Sequence, residues 1–449
     1  MSQAHYLGWF GIVRLGLVQT ALGAIVVLTT STLNRVMVVE YALPAILHGA
    51  LVALHYAVQL SRPAMGHGSD IGGRRTPWII GGMACLASGG ALAALATALM
   101  ATQTLYGIVL AIVAFMMIGA GVGASGTTLL ALLAKRVDPR RRAAAATIVW
   151  VMMIVGFVIT AATAGHFLDP YSSARLVTVT STVAVLAFLL TLLAVYRIEP
   201  RGLENASINK PTASDTGFKE ALSEVWADPE ARRFTIFVFA SMLAYNTQDL
   251  ILEPFAGTVF GMTPGESTQL AGMQHGGVLA GMILVAIAAS AIGGRILGSL
   301  KMWTVGGCIA SAVALMVLAF GGLYAPTFPI EASVFALGFA NGAFAVAAIA
   351  SMMSLAGKGR TKREGIRMGL WGAAQAIAFG LGGFLGTVAI DITRLIFENV
   401  AVAYGIVFLG EALIFLVAAR LAVGISQPNA AENGMRATTP GEGYLAGLS

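Results

Sequence analysis

Four residues of one apolar segment, His48, His55, Gln59 and Arg62, follow one another at +7, +4 and +3. That spacing puts them on a single stripe of a helix. At 1.5 Å of rise per residue the two imidazoles stand about 10 Å apart along the axis. A neutral imidazole nitrogen is a good metal ligand, so the stripe is a candidate contact for a bound ligand; hydrogen bonds to neighbouring helices are the plainer reading. A second set, Asn246, Asp249 and Glu253, is spaced +3 and +4, again one helical face, with Gln248 beside it. Glu253 precedes Pro254, which predicts a helix kinked or ended at that point. Glu40 takes a comparable place after the first apolar segment, in Val39-Glu40-Tyr41 against Leu252-Glu253-Pro254. Such carboxylates can carry protons, pair with Arg35 or cap helix ends. Glu411 sits in the middle of the last apolar segment, with no cation in its own helix before Arg420.

The elements that must position these residues follow from composition. Of 449 residues, 57% are apolar and 11% charged, with 54 glycines and a mean hydropathy of +0.82. Soluble domains carry about 25% charged residues, so a water-facing surface is excluded. Disorder and a disulfide scaffold are excluded too, by the apolar content and by a cysteine count of 2. Twelve segments reach the roughly 20 apolar residues a membrane helix needs: about 12–33, 41–60, 77–100, 105–133, 143–168, 175–196, 233–260, 271–292, 302–323, 329–356, 366–390 and 400–424. Runs such as Ile108 to Met117 do not alternate, so a β-barrel is excluded. Ionisable groups in such segments cost several kcal/mol unless paired or hydrated, which makes each of those above a functional candidate. Trp9, Trp78, Trp303, Tyr106 and Tyr324 read as interfacial anchors.

With a cytoplasmic amino terminus, the inside segments hold 24 of the 27 basic residues, leaving Arg35, Arg175 and Arg394 outside. The net charge of +6 is then a topology signal, both termini are cytoplasmic, and the protein is multi-pass in an inner membrane. The basic loops lack interleaved aromatics, which argues against nucleic acid. Arg14 lies inside what would be a signal peptide's core, so the first helix is expected to remain as an uncleaved anchor. Cys85 and Cys308 fall in apolar segments and are expected to be small buried residues.

The polar stretch 197–232 separates six spans from six, giving halves at 1–196 and 233–424 and a flexible cytoplasmic tail at 425–449. Ile71-Gly72-Gly73-Arg74 recurs as Ile292-Gly293-Gly294-Arg295, an offset of 221, and Arg142 with Trp150 recurs at the same offset as Arg363 with Trp371. Two parallel six-helix halves resemble the major facilitator superfamily. Gly66-x-x-x-Asp70-x-x-Gly73-Arg74-Arg75 resembles that superfamily's signature loop. It departs from the pattern at Ile71, where a basic residue is usual, and the second half lacks the Asp. The expected fold is an all-α membrane protein of twelve transmembrane helices in two halves.

More specific likenesses run along the chain. Arg14-Leu15-Gly16-Leu17-Val18-Gln19, Ser31-Thr32-Leu33-Asn34-Arg35-Val36-Met37-Val38-Val39-Glu40, His67-Gly68-Ser69-Asp70, Gln248-Asp249-Leu250-Ile251-Leu252-Glu253-Pro254-Phe255 and Gly369-Leu370-Trp371-Gly372-Ala373-Ala374-Gln375-Ala376 resemble the PucC/LhaA family of phototrophic bacteria. The closest branch is the one historically labelled a bacteriochlorophyll synthase chain. The resemblance implies an inner-membrane or intracytoplasmic photosynthetic-membrane protein that handles bacteriochlorophyll and helps assemble light-harvesting complexes. It also implies bacteriochlorophyll synthase or light-harvesting polypeptides as partners. Asn34, Arg35, Glu40, Asp70, Asp249 and Glu253 are the matched motif residues. No cofactor is required on this reading; bacteriochlorophyll or a precursor is a ligand, with His48 and His55 as candidates for its magnesium.

Intrinsic catalysis is not expected, although an accessory role beside a synthase is. Isoprenoid-diphosphate chemistry uses paired acids to hold Mg²⁺, whereas no two aspartates here lie closer than Asp215 and Asp228. Nor is there a phosphate-binding G-x-x-x-x-G-K-[ST] loop. The alternative is a proton-coupled secondary transporter of a small amphipathic solute, using Glu40, Asp249, Glu253 or Glu411 as its proton site.

Overall fold

The computed structural model describes residues 6–62, 65, 69, 74–138, 141–199, 223, 226–288, 299–356 and 364–425. Twelve long helices are found among them: α1 Trp9–Glu40, α2 Ala45–Ser61, α3 Thr76–Met100, α4 Thr104–Arg136, α5 Arg142–Leu168, α6 Ser173–Val195, α7 Pro229–Phe260, α8 Pro264–Ala288, α9 Leu300–Gly321, α10 Ile330–Ala356, α11 Glu364–Ile396 and α12 Val400–Val423. Eleven are long and apolar enough to cross a membrane, and α2 is a shorter apolar helix. The linker core, Gly66, Asp70, Gly73, the 292–295 repeat, Arg363 and the tail beyond 425 lie outside the described residues.

Local chemistry sets many helix ends. Ser172 caps α6, Asp228 caps α7 ahead of Pro229, Ser299 caps α9 and Asn399 caps α12, each side chain accepting from an otherwise unpaired backbone N–H. Gly261, at φ +70°, ends α7 in the left-handed region. At α3 the cap is remote: the Glu199 carboxylate accepts from the backbone N–H of Arg75 and Thr76 and from Thr76 Oγ1, the last at 2.6 Å. Arg75 donates across to the Ala131 carbonyl of α4. Arg14 donates to carbonyls at the end of α6, Ala194 and Tyr196.

Each half has its own apolar core. The first is built around Ile12, Leu86, Phe115 and Ile118, the second around Phe237, Phe255, Phe344 and Phe408. The halves meet along two matching seams, α2 against α11 and α5 against α8. Within the second half, Gly277 and Gly281 of α8 face the Phe335 and Phe339 carbonyls of α10, while Gly338 and Gly342 of α10 face the Gln274 and Val278 carbonyls of α8. Small residues at such spacing bring two backbones into contact.

One expected boundary is corrected. α1 does not stop near residue 33; it continues to Glu40 through two π-turns, Leu28–Thr32 and Val36–Glu40, so Arg35 and Glu40 belong to the helix. The hydroxyls of Thr29 and Thr30 bond back to carbonyls of their own helix, which lets this polar stretch stay helical. α7, expected over 233–260, passes through Pro254 without ending there and runs to Phe260. A proline at this position cannot bond the carbonyl four residues earlier. That carbonyl belongs to Leu250, and the Asn34 side-chain amide of α1 takes it instead. Cys85 is half-buried and Cys308 buried, and both are free thiols.

Candidate functional site

The polar residues of α1 are aimed across the boundary between halves, at α7 and α8. Thr32 Oγ1 lies 2.9 Å from Thr268 Oγ1, and Asn34 donates to the Leu250 carbonyl. Arg35, 3% exposed, pairs with Glu40 and also donates to the Met262 carbonyl. Gly257 leaves room for this guanidinium, since an added Cβ would stand 2.9 Å from Arg35 Nε. Glu253 is buried beside Ser31 and accepts from Ser267 Oγ at 3.5 Å.

Both seams are also closed at the Glu40 end of the bundle. On one, Asp391 near the end of α11 accepts from the Ala45 and Ile46 N–H groups that open α2, at 3.0 and 2.8 Å. On the other, Asp169, which ends α5, accepts from Thr263 Oγ1 at 2.9 Å beside the start of α8. A carboxylate from one half thus meets a helix start in the other, the favourable sign for the helix dipole. Nearby, Tyr41 Oη of the α1–α2 connection lies 2.9 Å from Tyr171 Oη of the α5–α6 loop, and burial together with this contact lifts the Tyr171 phenol above its usual range.

Nearer the middle of the bundle, Asp249 accepts from Gln274 Nε2 of α8 at 3.2 Å. Asp249, Tyr56 and Tyr245 are half-buried, in contrast to the fully buried Gln248 and Leu250 beside them. Phe379 of α11 touches both tyrosines, with ring centroids 5.9 and 6.3 Å away. Asn246 donates to the Phe379 carbonyl at 2.6 Å and fixes α11 against α7. The result is one carboxylate, two phenols, an amide and an aromatic wall facing one another between the halves. Such a set offers hydrogen bonds and stacking to a flat amphipathic ligand.

The helix-2 stripe forms, but it is turned into the first half. His48 is 0% exposed, its Nε2 lies 3.2 Å from the Thr30 carbonyl, and its ring meets Phe115 edge-on. His55 is 3% exposed, with Nε2 at 2.7 Å from Gln59 Nε2, and Arg62 donates to Gln59 Oε1. Their Nδ1 atoms have no hydrogen-bond partner. Asp249 and Glu253 both face α8, whereas Asn246 of the same face reaches α11 and Glu411 is sealed inside the second half at 2% exposure. Sequence reasoning missed Gln274, His275, Asp169 and Asp391. Adjacent Gln274-His275 in an otherwise apolar helix was the available signal for the first two. A separate outward-facing groove of about 390 Å³ between α3 and α4 is lined by Trp78, Gly81, Cys85, Ala120 and Ala124. Among the described residues, its lining carries no charged side chain to orient a ligand.

Comparisons with known proteins bear on the family and the fold. The family model described as "PUCC protein" matches residues 32–430. The "Bacteriochlorophyll synthase 44.5 kDa chain" of Rhodobacter capsulatus is 55% identical, over 93% of this chain and 96% of that one. "Protein PucC" of Cereibacter sphaeroides is 31% identical over 82% of this chain and 81% of its own. Among solved structures, a bacterial homologue of the human lysosomal transporter Spinster, inward-facing and unoccupied, superposes with a TM-score of 0.63 at 17% identity, covering 92% of this chain and 95% of that one. The nucleoside transporter NupG gives 0.60 at 14% identity, over 92% and 98%. Those two likenesses establish the fold alone. With a family model spanning nearly the whole chain and relatives matched almost end to end, this multi-pass helical protein belongs to the PucC family and is built on the major facilitator fold.

Proposed function

We propose that the protein delivers bacteriochlorophyll, or a late precursor, during assembly of light-harvesting complexes, as a non-catalytic partner of the pigment synthase. The observation that carries this reading is the end-to-end 55% identity with a chain named for bacteriochlorophyll synthase. The geometry supports a carrier more than a catalyst. The close carboxylates of α7 are engaged by Gln274 and Ser267 and are not aimed together at one point. The pigment contacts are then Tyr56, Tyr245, Asp249, Gln274 and Phe379, not the sealed imidazoles of α2. Closure of both seams at the Glu40 end, the non-cytoplasmic side on the charge rule, supports a pigment route from the cytoplasmic side of a photosynthetic membrane.

The test is an absorption spectrum of protein purified in mild detergent from a pigment-making host, beside Gln274→Ala and Tyr56→Ala variants. A near-infrared bacteriochlorin band in the wild type, reduced several-fold in folded variants, is expected. A band kept in all three sinks the site but not the function. No band in any of them, together with uptake of a colourless solute driven by a proton gradient, favours the carrier reading, for which half-buried Asp249 between the halves is the specific support.

A further inference from the structure

Inside the second half, away from the face that Asp249 presents, helix register brings three other polar side chains to one level. Phe255 of α7 meets Tyr404 and Phe408 of the antiparallel α12, with ring centroids 5.5 and 5.0 Å away. Gln248 lies two turns back from Phe255 on the same face, which at 1.5 Å per residue brings it level with Ala412 and Leu413 of α12. Phe344 of α10, which runs parallel to α12, meets Phe415 at 5.5 Å, so Asn341, three residues earlier, is level with Ala412. Tyr245 of α7 meets Phe344 at 6.3 Å, and counting three residues along each antiparallel helix again sets Gln248 opposite Asn341. Glu411 adjoins the same level on α12.

All three are sealed: Gln248 and Asn341 are 0% exposed and Glu411 is 2% exposed. Ser311 of α9 donates to Asn341 Oδ1 at 2.8 Å. Both polar atoms of Gln248, Nδ2 of Asn341 and both carboxyl oxygens of Glu411 have no hydrogen-bond partner. Unpartnered polar groups at this depth each cost free energy of order kcal/mol, so five in one layer point to a bound species. Its chemistry follows from the mixture. A metal cation satisfies oxygens and leaves two amide nitrogens facing it. A species that both donates and accepts satisfies every group, and a carboxyl that keeps its proton adds a donor. The titratable groups that neighbours bring nearest are Tyr245 and Asp249 from α7 and Cys308 from α9, with Tyr404 on α12 itself; α11 contributes Asp391 and Arg394 near its Glu40 end. None of those nearest is a cation, and Asp249 is close enough to interact electrostatically with Glu411.

We propose that Gln248, Asn341 and Glu411 form an internal water-binding layer in which Glu411 holds a proton as a carboxylic acid. Asp249 is then the neighbouring carboxyl group to which that proton can pass. A proton leaving Glu411 through water to Asp249 breaks one O–H bond and forms another, so the charge of the pair is unchanged. The layer gives the second half a proton store that meets the proposed pigment contacts at Asp249, and it does not depend on what those contacts carry.

The test is infrared difference spectroscopy on the full chain in lipid nanodiscs, titrated from acid to alkaline buffer in H₂O and D₂O. Folding of each variant is checked by gel filtration. The expected result is a carboxylic-acid C=O stretch at neutral pH that downshifts in D₂O and is lost in Glu411→Gln. Gln248→Met, which keeps the volume and removes the amide, shifts that band's frequency. Asp249→Asn shifts that band's frequency as well, because the neighbouring carboxyl is gone. Identical spectra for wild type and Glu411→Gln overturn the proposal. So does a band unmoved by Gln248→Met and Asp249→Asn, and so does a band titrated by sodium instead of by pH.

Discussion

α8 and α10 touch backbone to backbone, whereas α2 and α4, which hold the matching places in the first half, are wedged apart by rings. In the second half four glycines press carbonyls of the facing helix in reciprocal fashion. In the first, a Cβ added at Gly119 would stand 2.5 Å from the His55 carbonyl, but one level away His48 and Phe115 stand edge to face between the helices. Duplicated halves thus solve one packing problem in two ways. Glycine contact fixes a distance that no side chain can adjust. A ring contact can be re-formed by rotamer changes, so the first half has the softer pair.

Breaking the glycine contact should have the largest effect. Gly338→Leu places side-chain atoms where the Gln274 carbonyl stands, and a loss of about 3 kcal/mol is expected, read as a collapsed thermal transition in detergent. An unchanged transition would refute the backbone contact. Gly119→Ala, the nearest equivalent in the softer pair, is expected to cost about 1–2 kcal/mol by the same assay, because one methyl against the His55 carbonyl displaces less than a leucine side chain. His48→Leu removes the bond to the Thr30 carbonyl and the edge contact with Phe115, at about 1 kcal/mol. If it costs more than Gly338→Leu, the order of stiffness between the halves is reversed. The smallest effects belong to the seams. Asp391→Asn weakens a helix-start contact worth about 0.5–1 kcal/mol. It is expected to raise maleimide labelling of a cysteine placed at Leu43, while Asp169→Asn, whose partner is a hydroxyl, changes labelling less.

The twelve helices and the two halves were legible because apolar length and basic loops are strong, local signals. The end of α1 was not. Ser31-Thr32-Leu33-Asn34-Arg35 looks like a helix exit, and only contact with α7 and α8 reveals partners for those side chains. How α7 accommodates Pro254 was equally hidden, since the amide that takes the freed carbonyl comes from 216 residues away. The helix-2 stripe was read correctly as one face, but periodicity does not say which neighbour a face meets. Asp169 and Asp391 lie 222 positions apart, beside the repeat offset of 221, yet each alone resembles an ordinary acid near a loop.

The two π-turns of α1 carry a consequence for how this segment tolerates change. Each widens one turn by a residue, and one residue is about 100° of helix rotation. Deleting a single residue from Leu28–Thr32 would therefore keep the helix and its length nearly intact while swinging Asn34 and Arg35 away from α7 and α8. Substitutions there trade one contact for another; a deletion moves every later contact at once. For this stretch the inherited quantity is the count of residues as much as their kind.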